Sequence, residues 1–301
     1  MPYLKFIPAF LLTGFLSLFL LSEVSQAGQN EKFEKSEKMS TNENQLIKCV
    51  DHILLTPGPQ KSKVLYDFFC GQLGLPPAWP YKNYGAFSSG AVYFGNVSLE
   101  TIDYDQMTGD EPKIAGIAFE PAMKTPVLIA ALEKQKIPFD APKPFELNFG
   151  NAVHNLWTST YLKDLLPGSQ IFFCEYHMFV PAEQRVKLNE KFAACGGGKL
   201  KVKNIKEIVI SVKNPESEIT KWNAIAAPHK ADSGNKIELG EGPALRFIKG
   251  PENKIKSLTV KVDSLEKIMP LLQELKLSGK ETTAGVELNS EKTFGVSITL
   301  E

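Results

Sequence analysis

One pattern of local structure is written four times along this chain, and this repetition constrains the fold more than any other feature of the sequence. Each copy opens with an aliphatic and β-branched run, continues with apolar residues at helical spacing, and closes with short apolar runs. Self-similarity of this kind indicates a repeated supersecondary unit. The opening runs are residues 50–55, 114–119, 205–212 and 257–262. The repetition predicts an α+β fold of four tandem β-α-β-β-β modules.

The same spacing places the elements of the first two modules. For the first module we expect a helix and three short strands: 63–73, 86–87, 91–94 and 97–102. For the second module we expect a helix, a long loop and two strands: 123–137, 138–151, 156–162 and 171–176.

Two helix starts carry capping signals. Asn214 precedes Pro215, the arrangement of an N-cap residue followed by the first helical residue. Asp263 stands three residues before Glu266 and predicts a capping box. These signals place the helices of the third and fourth modules.

The four modules form two pairs. A run of glycines, 196–198, lies between the second and third modules and marks a flexible seam. We therefore expect an N-terminal pair at 46–180, a linker at 181–203 and a C-terminal pair at 204–301. The second pair is shorter and its strands are poorer, so we expect a degenerate copy of the first.

Composition excludes one class of partner. Lys+Arg and Asp+Glu both number 34, so the formal net charge is zero. A nucleic-acid-binding protein usually shows a basic excess, and this chain has none. The hydrophobic fraction of 43% and the charged fraction of 23% are those of an ordinary soluble globular protein. We expect no nucleic-acid partner.

The first 27 residues predict an export signal. A short positive start precedes the apolar run 6–21, and Ser25 and Ala27 are small residues at the positions that a signal peptidase reads. A bilayer span needs about 20 apolar residues, and this run is shorter. Residues 28–45 contain few apolar residues, which is typical of a disordered spacer. We expect a periplasmic or secreted protein that touches a membrane only if the signal is not cleaved.

The chain has four cysteines: Cys49, Cys70, Cys174 and Cys195. Export permits disulfides, and an even count allows two bridges in any of three pairings. No pair has close CxxC spacing. Two bridges and four free thiols both remain open.

Paired β-α-β-β-β modules with a histidine on the first strand and a glutamate on the fourth resemble the vicinal oxygen chelate superfamily. It includes glyoxalase I, extradiol ring-cleaving dioxygenases and bleomycin-resistance-type binding proteins. The strings that carry the resemblance are VDHILLTP (50–57), LGL (73–75) and VSLE (97–100). They cover the first module well and the rest of the chain weakly. The resemblance implies cupped mixed sheets with helices on their outer faces.

The resemblance also implies where a metal would bind. In metal-binding members, the first and fourth strands of two modules each supply one ligand to a divalent ion inside the cup. His52 and Glu100 fall at the first two positions. Overlaying the second module on the first puts Gly116 at the third position and Glu175 at the fourth. The implied metal ligands are therefore His52, Glu100 and Glu175, without a second histidine.

Strand alternation shows which side chains could share the cup. His52 would share a face with Val50 and Leu54, and Glu100 would face the same way. His177 would lie on the face of Glu175, about 7 Å further along the strand. Two histidines could therefore substitute for the missing ligand: His154 from a loop, or His177 if the strand end curls inward.

The chemistry implied by the resemblance depends on the ion. One imidazole and two carboxylates suit a divalent ion such as Fe, Mn, Co, Ni or Zn. Chelation of two adjacent substrate oxygens would make that ion a Lewis acid. Glu175, as a loosely held carboxylate, would be the catalytic base. The implied activity is a lyase, isomerase or dioxygenase reaction on a small molecule with vicinal oxygens.

Other functions remain open. Members of the superfamily that lack the metal use the cup to bind or sequester a small molecule, and a scaffold with a filled cup is a third possibility. Aromatic residues in 79–87 would form a wall for an apolar or aromatic ligand. Alternatively, they pack a proline-rich connection. In the third module Glu207 stands over His52, so the C-terminal pair lacks the metal-site pattern.

Overall fold

The computed structural model describes residues 45–104, 113–149 and 152–301. These residues lie in one compact unit, Asn44–Glu301. The predicted signal, 1–27, and the predicted spacer up to residue 44 lie outside the described residues. Of the helices that the structure describes, none combines the length and the apolar character that a membrane span requires.

The described residues form five α-helices and fifteen strands. The helices are α1 (Ser62–Asp67), α2 (Thr125–Lys134), α3 (Pro181–Cys195), α4 (Pro215–Ala226) and α5 (Leu265–Glu274), and a π-helical turn, Phe68–Gln72, extends α1. The strands of the first two modules are β1 (Ile47–Thr56), β2 (Pro77–Asn83), β3 (Phe87–Tyr93), β4 (Ser98–Tyr104), β5 (Lys113–Pro121), β6 (Lys143–Phe149), β7 (Ala152–Tyr161) and β8 (Gln170–Tyr176). Those of the last two are β9 (Val202–Val212), β10 (Lys236–Ile237), β11 (Ala244–Lys249), β12 (Lys254–Val262), β13 (Ser278–Thr282), β14 (Gly285–Leu288) and β15 (Ile298–Leu300).

The N-terminal sheet contains the first two modules side by side. Its strand order is β2-β3-β4-β1-β5-β8-β7-β6. Within each module the first strand pairs in parallel with the fourth, and the two first strands, β1 and β5, pair antiparallel at the centre. The mixed α+β fold with cupped sheets is confirmed.

The C-terminal sheet repeats this arrangement in a reduced form. Its strand order is β10-β11-β9-β12-β15-β14-β13, again with the first strands of the two modules adjacent and antiparallel. The third module has two strands after α4, and one of them, β10, has only two residues. The C-terminal sheet thus has seven strands, one fewer than the N-terminal sheet.

The structure corrects three local predictions. A strand, β6, occupies the segment 143–149, where the sequence predicts a loop. The segment predicted as a linker contains the helix α3, which docks on the N-terminal sheet through Asn189. The N-cap of α5 is Ser264 rather than Asp263, and its side chain accepts from the backbone N–H of Lys267. The N-cap at Asn214 is confirmed, with its side chain accepting from Ser217.

The two faces of the N-terminal sheet bury different side chains. Ile53 and Leu55 of β1 belong to the main core beneath the helices. Leu54 belongs to a separate apolar cluster on the concave face of the sheet, which we call the cup. Val97, which directly precedes β4, and Leu99 of β4 also face the main core, as the sequence predicts.

The main core continues from one sheet to the other. Trp222 of α4 is fully buried and contacts two rings, Phe119 of β5 at 6.3 Å and Phe247 of β11 at 5.6 Å between centroids. A second connection is polar: the side-chain amide of Asn96 donates to the carbonyl of Ile205 and accepts from its N–H, at 2.9 and 3.0 Å. The two module pairs therefore share one core. They are also joined by the two hydrogen bonds between the Asn96 side chain and the Ile205 backbone, which we call the joint.

All four cysteines are free in the structure. Cys49 and Cys174 are buried, and Cys70 and Cys195 are half-buried. Of the two alternatives left open by the sequence, the structure thus shows free thiols. The apolar core that spans both sheets holds the fold without a bridge.

Candidate functional site in the N-terminal cup

His52 and Glu100 meet on the floor of the cup. On β1, His52 lies beside Ser98 of β4, and Leu54 lies beside Glu100. This parallel register brings the imidazole Nε2 within 3.3 Å of Glu100 Oε2. The two residues are only 5% and 8% exposed, so both polar groups depend on each other and on their protein neighbours for partners.

A β-bulge adds a second carboxylate to this pair. The register with β5 shifts between Val50 and His52, so that Asp51 is an extra residue in β1. Its Oδ2 lies 2.6 Å from Nδ1 of His52 and accepts a hydrogen bond from the hydroxyl of Tyr176 at 2.8 Å. The same bulge turns Val50 into the main core, away from the cup face that strict alternation predicts for it.

The surroundings favour the protonated forms of both partners. Burial lowers the pKa of His52, but the hydrogen bond to Asp51 and the charges of Glu100 and Asp51 together raise it above its ordinary value. Burial raises the pKa of Glu100, and the charge of His52 and a hydrogen bond from Ser89 only partly offset this effect.

Aromatic rings enclose the imidazole. Trp79 of β2 and Phe172 of β8 each present a ring in edge geometry, with centroids 5.8 Å from that of His52. The sequence predicts an aromatic wall over 79–87, and Trp79 is part of it. Tyr81, from the same segment, bonds Ser62 of α1 and lies away from the cup.

Further rings join the two modules across the cup. Tyr84 stacks on Phe87 at 5.0 Å, and Phe145 stacks on Trp157 at 4.1 Å. Phe145 also lies 5.7 Å from Phe87 and 6.2 Å from Tyr84, so the second module contacts the first here. All four rings are only half-buried. Half-buried rings on a concave face are typical of a binding site rather than of a closed core.

Glu175, predicted as a metal ligand and the catalytic group, does not lie in the cup. Its Oε2 accepts hydrogen bonds from the backbone N–H and the hydroxyl of Thr125, at 2.7 and 2.6 Å. Its Oε1 lies 3.2 Å from Nζ of Lys124. On β8, Phe172 and Cys174 face the cup, so Glu175 lies on the opposite face. The structure thus corrects its placement: Glu175 satisfies the first turn of α2.

The three other positions considered for the metal site do not form a metal-binding group with the pair. Gly116 pairs with Gln170, and a Cβ at Gly116 would lie 2.2 Å from the Gln170 carbonyl oxygen, so no side chain fits there. Nε2 of His177 lies 2.8 Å from the hydroxyl of Thr158. His154 lies within β7, in register with Leu147, rather than in a loop.

The donors in the cup do not complete a metal site. In the described part of the chain, no group of three His, Cys, Asp or Glu side chains could hold a metal ion. Cys174 faces the cup, but burial raises the pKa of its thiol well above the ordinary value, which disfavours a thiolate ligand. One imidazole nitrogen and one carboxylate are fewer donors than protein sites for such ions use.

The C-terminal pair carries different residues at the matching positions. Glu207 lies beside Ala244 as His52 lies beside Ser98, and Arg246 follows two residues later as Glu100 does. Glu207 is bonded to Arg246 at 3.3 Å. An ion pair therefore replaces the imidazole–carboxylate pair in the second sheet.

Comparison with solved structures places the chain in a fold class. The chain has the fold of the vicinal oxygen chelate superfamily. A hypothetical protein from Staphylococcus aureus superposes with a TM-score of 0.58 at 13% identity, over 84% of this chain and 98% of that one. Homoprotocatechuate 2,3-dioxygenase from Brevibacterium fuscum gives 0.51 at 11% identity, over 85% and 71% of the two chains.

A third structure, the 2,3-dioxygenase LapB from Pseudomonas sp. KL28, superposes with a TM-score of 0.51 at 8% identity, over 85% of this chain and 92% of that one. No protein-family model and no curated protein sequence matches the chain. At these identities the likeness establishes the architecture, and the chemistry of the cup has to be argued from its own residues.

Proposed function

We propose that the N-terminal cup binds a small aromatic or apolar molecule that carries a polar oxygen group, without a resident metal ion. The observation that carries the proposal is the set of half-buried rings on the cup face of the sheet, where the buried His52–Glu100 pair also lies. Small-molecule sites commonly combine apolar walls with a few polar groups that fix orientation. The rings would cover the body of the ligand, and the pair would bind its oxygen.

Charge and burial support a neutral or weakly polar ligand. The floor already holds two carboxylates, Asp51 and Glu100, with His52 between them. A further anion would be repelled there, and a strongly hydrated cation would lose its water to a wall of rings. A hydroxyl or carbonyl oxygen on a planar body avoids both penalties.

A divalent-metal enzyme is the second candidate. Two observations favour it: the convergence of His52 Nε2 and Glu100 Oε2 within 3.3 Å, and the ring-cleaving dioxygenases among the structures of similar fold. Such a site for Fe, Mn, Co, Ni or Zn would need further donors from the substrate or from water. The ion would act as a Lewis acid on a substrate with vicinal oxygens.

Metal analysis and ligand binding together decide between the candidates. The purified chain, before and after incubation with each divalent ion, is analysed for bound metal, and p-cresol, toluene and indole are titrated by calorimetry. We expect less than stoichiometric metal and binding of at least one aromatic probe that weakens in Trp157→Ala. A stoichiometric ion that is lost in His52→Ala would favour the enzyme, and no binding of any probe at millimolar concentration would overturn the proposal.

Arg246→Ala is the matched control for these titrations. Arg246 holds the position in the C-terminal sheet that Glu100 holds in the N-terminal sheet. We therefore expect this variant to bind the probes as the unchanged chain does, and a loss in it would mean that the site is not in the N-terminal cup.

We also propose that the chain is exported, on the strength of the apolar run 6–21 and the small residues Ser25 and Ala27. Cell fractionation and N-terminal sequencing of the mature chain test this. The expected result is a mature chain that begins at Gly28 outside the cytoplasm. A chain that retains Met1 in the cytoplasm would overturn the proposal.

A further inference from the structure

The β-bulge at Asp51 is unfavourable for the sheet in two ways. A bulge interrupts the ladder between β1 and β5, and it places a second carboxylate beside a pair that already contains one. Asp51 is nevertheless nearly enclosed, with a side chain 14% exposed. Its Oδ2 has two close partners, Nδ1 of His52 at 2.6 Å and the hydroxyl of Tyr176 at 2.8 Å. This arrangement ties the orientation of the imidazole to strand β8.

The contact with Asp51 decides which imidazole nitrogen carries a proton. A carboxylate oxygen accepts hydrogen bonds, so Nδ1 must be the donor in a 2.6 Å contact with Oδ2. Nε2 is then the nitrogen left for Glu100, at 3.3 Å. Without Asp51 the neutral imidazole of His52 could carry its proton on Nε2 and leave Nδ1 unprotonated.

We propose that Asp51 is a positioning residue, which holds His52 with Nδ1 protonated so that Nε2 and Glu100 together form a receptor for a hydroxyl group. The inference rests on the proposed binding function of the cup. With its proton on Nδ1, the neutral imidazole presents Nε2 as an acceptor beside the Glu100 carboxyl group. A hydroxyl can donate to Nε2 or to a carboxylate oxygen of Glu100, whereas an ether or a carbonyl can only accept. The ligand class is therefore an aromatic molecule with a hydroxyl group.

The protonation state of the ring can be measured directly, without a ligand. The chain has four histidines, so long-range nitrogen–proton NMR spectra of the labelled protein are tractable, and His52→Gln assigns the signal of His52. In the unchanged chain we expect Nδ1 to carry a proton. In Asp51→Ala we expect the proton to move to Nε2, and in Asp51→Asn, which keeps an acceptor oxygen, we expect Nδ1 to keep it.

A bare Nδ1 in the unchanged chain, or a proton that stays on Nδ1 in Asp51→Ala, would overturn the inference. The first measurement needs no variant, so it remains decisive even if Asp51→Ala fails to fold. Thermal unfolding of each variant shows whether a change in the spectrum reflects a lost fold.

Binding provides a second and independent measurement. In the methyl ether of p-cresol a methyl group replaces the hydroxyl hydrogen, so the ratio of the two dissociation constants measures how strongly the cup prefers a hydroxyl group. We expect p-cresol to bind about tenfold more tightly than the ether, which corresponds to about 1.4 kcal/mol. That ratio should fall to about one in Asp51→Ala and persist in Arg246→Ala.

The outcomes separate the two proposals. If neither probe binds the unchanged chain, the proposed function fails while the NMR result still decides the role of Asp51. If both bind with equal affinity in the unchanged chain, the cup is a binding site but not a hydroxyl receptor, and this inference fails alone.

Discussion

Replacing Glu175 by alanine is expected to weaken the fold and to leave the cup intact. Two hydrogen bonds from Thr125 end on Oε2, and Pro126 follows at the start of α2, where Lys124 provides no side-chain cap. Glu175 thus does the work of an N-cap from a different strand, and its charge opposes the positive end of the helix dipole.

The magnitude follows from these contacts. Loss of an N-cap costs about 0.5–2 kcal/mol, and a hydrogen bond to a charged group contributes about 1.5–3 kcal/mol. The ion pair with Lys124, whose side chain is 78% exposed, adds little. In the variant, water can replace part of the hydrogen bonding at the first turn of α2. The cost of the lost cap and that of the lost hydrogen bonds therefore do not simply add. We expect the free energy of unfolding to fall by about 2 kcal/mol at neutral pH.

The effect depends on pH with a definite sign. Burial raises the pKa of Glu175, but the two bonds from Thr125 and the contact with Lys124 together hold it below its ordinary value. A carboxyl whose pKa is lower in the folded state stabilises the fold above its unfolded pKa. That contribution is lost as pH falls through the folded pKa. The difference between the unchanged chain and Glu175→Ala should therefore be full at neutral pH and should shrink below about pH 4.5.

Urea unfolding at several pH values measures this difference, and probe titration measures the cup. Glu175→Gln keeps an oxygen acceptor but loses the charge, so it should fall between the other two proteins. A loss below about 0.5 kcal/mol, the size of an ordinary surface substitution, would refute the capping argument. So would a loss of probe binding in a variant that is still folded at the assay temperature, because Glu175 would then act in the cup.

Three further perturbations have defined outcomes. Asn96→Ala removes both bonds to Ile205 and should lower the free energy of unfolding by about 1–3 kcal/mol in urea titration; an unchanged midpoint would mean that the joint is not stabilising. Gly116→Ala should reduce the yield of folded protein and lower the melting temperature, because the new Cβ meets the backbone of Gln170; normal melting would show that the strands can separate. Trp157→Phe should keep most probe binding and Trp157→Ala should weaken it about tenfold by calorimetry, whereas equal affinities would place the ligand elsewhere.

The part of the site that could be predicted from the sequence depends on parallel pairing. His52 and Glu100 lie on the first and fourth strands of one module, and these strands pair in parallel. Once the module was recognised, both side chains had to reach the same face at nearly the same height. No long-range packing information was needed for that conclusion.

Glu175 and Asp51 show where sequence patterns stop being informative. Residues 171–174 are all apolar or cysteine, so β8 has no alternation that reveals which face is the cup. Asp51 precedes His52 directly, and strict alternation would send it to the opposite face. A bulge reverses that expectation, and nothing in the local sequence marks the bulge. Stacking of Phe145 on Trp157 likewise depends on a strand, β6, that lies in a stretch interrupted by prolines.

Because the two module pairs share one core, the glycine run 196–198 is not a boundary between independent domains. If the backbone were cut near residues 196–198, each fragment would carry one half of a buried ring contact. The N-terminal fragment would expose the helix-side face around Phe119, and the C-terminal fragment would expose Trp222. Each fragment would expose a large apolar surface, so we expect the two fragments to reassociate or aggregate rather than to behave as independent domains. The modules recur along the sequence like separate units, but because they share one core we expect them to be stable only together.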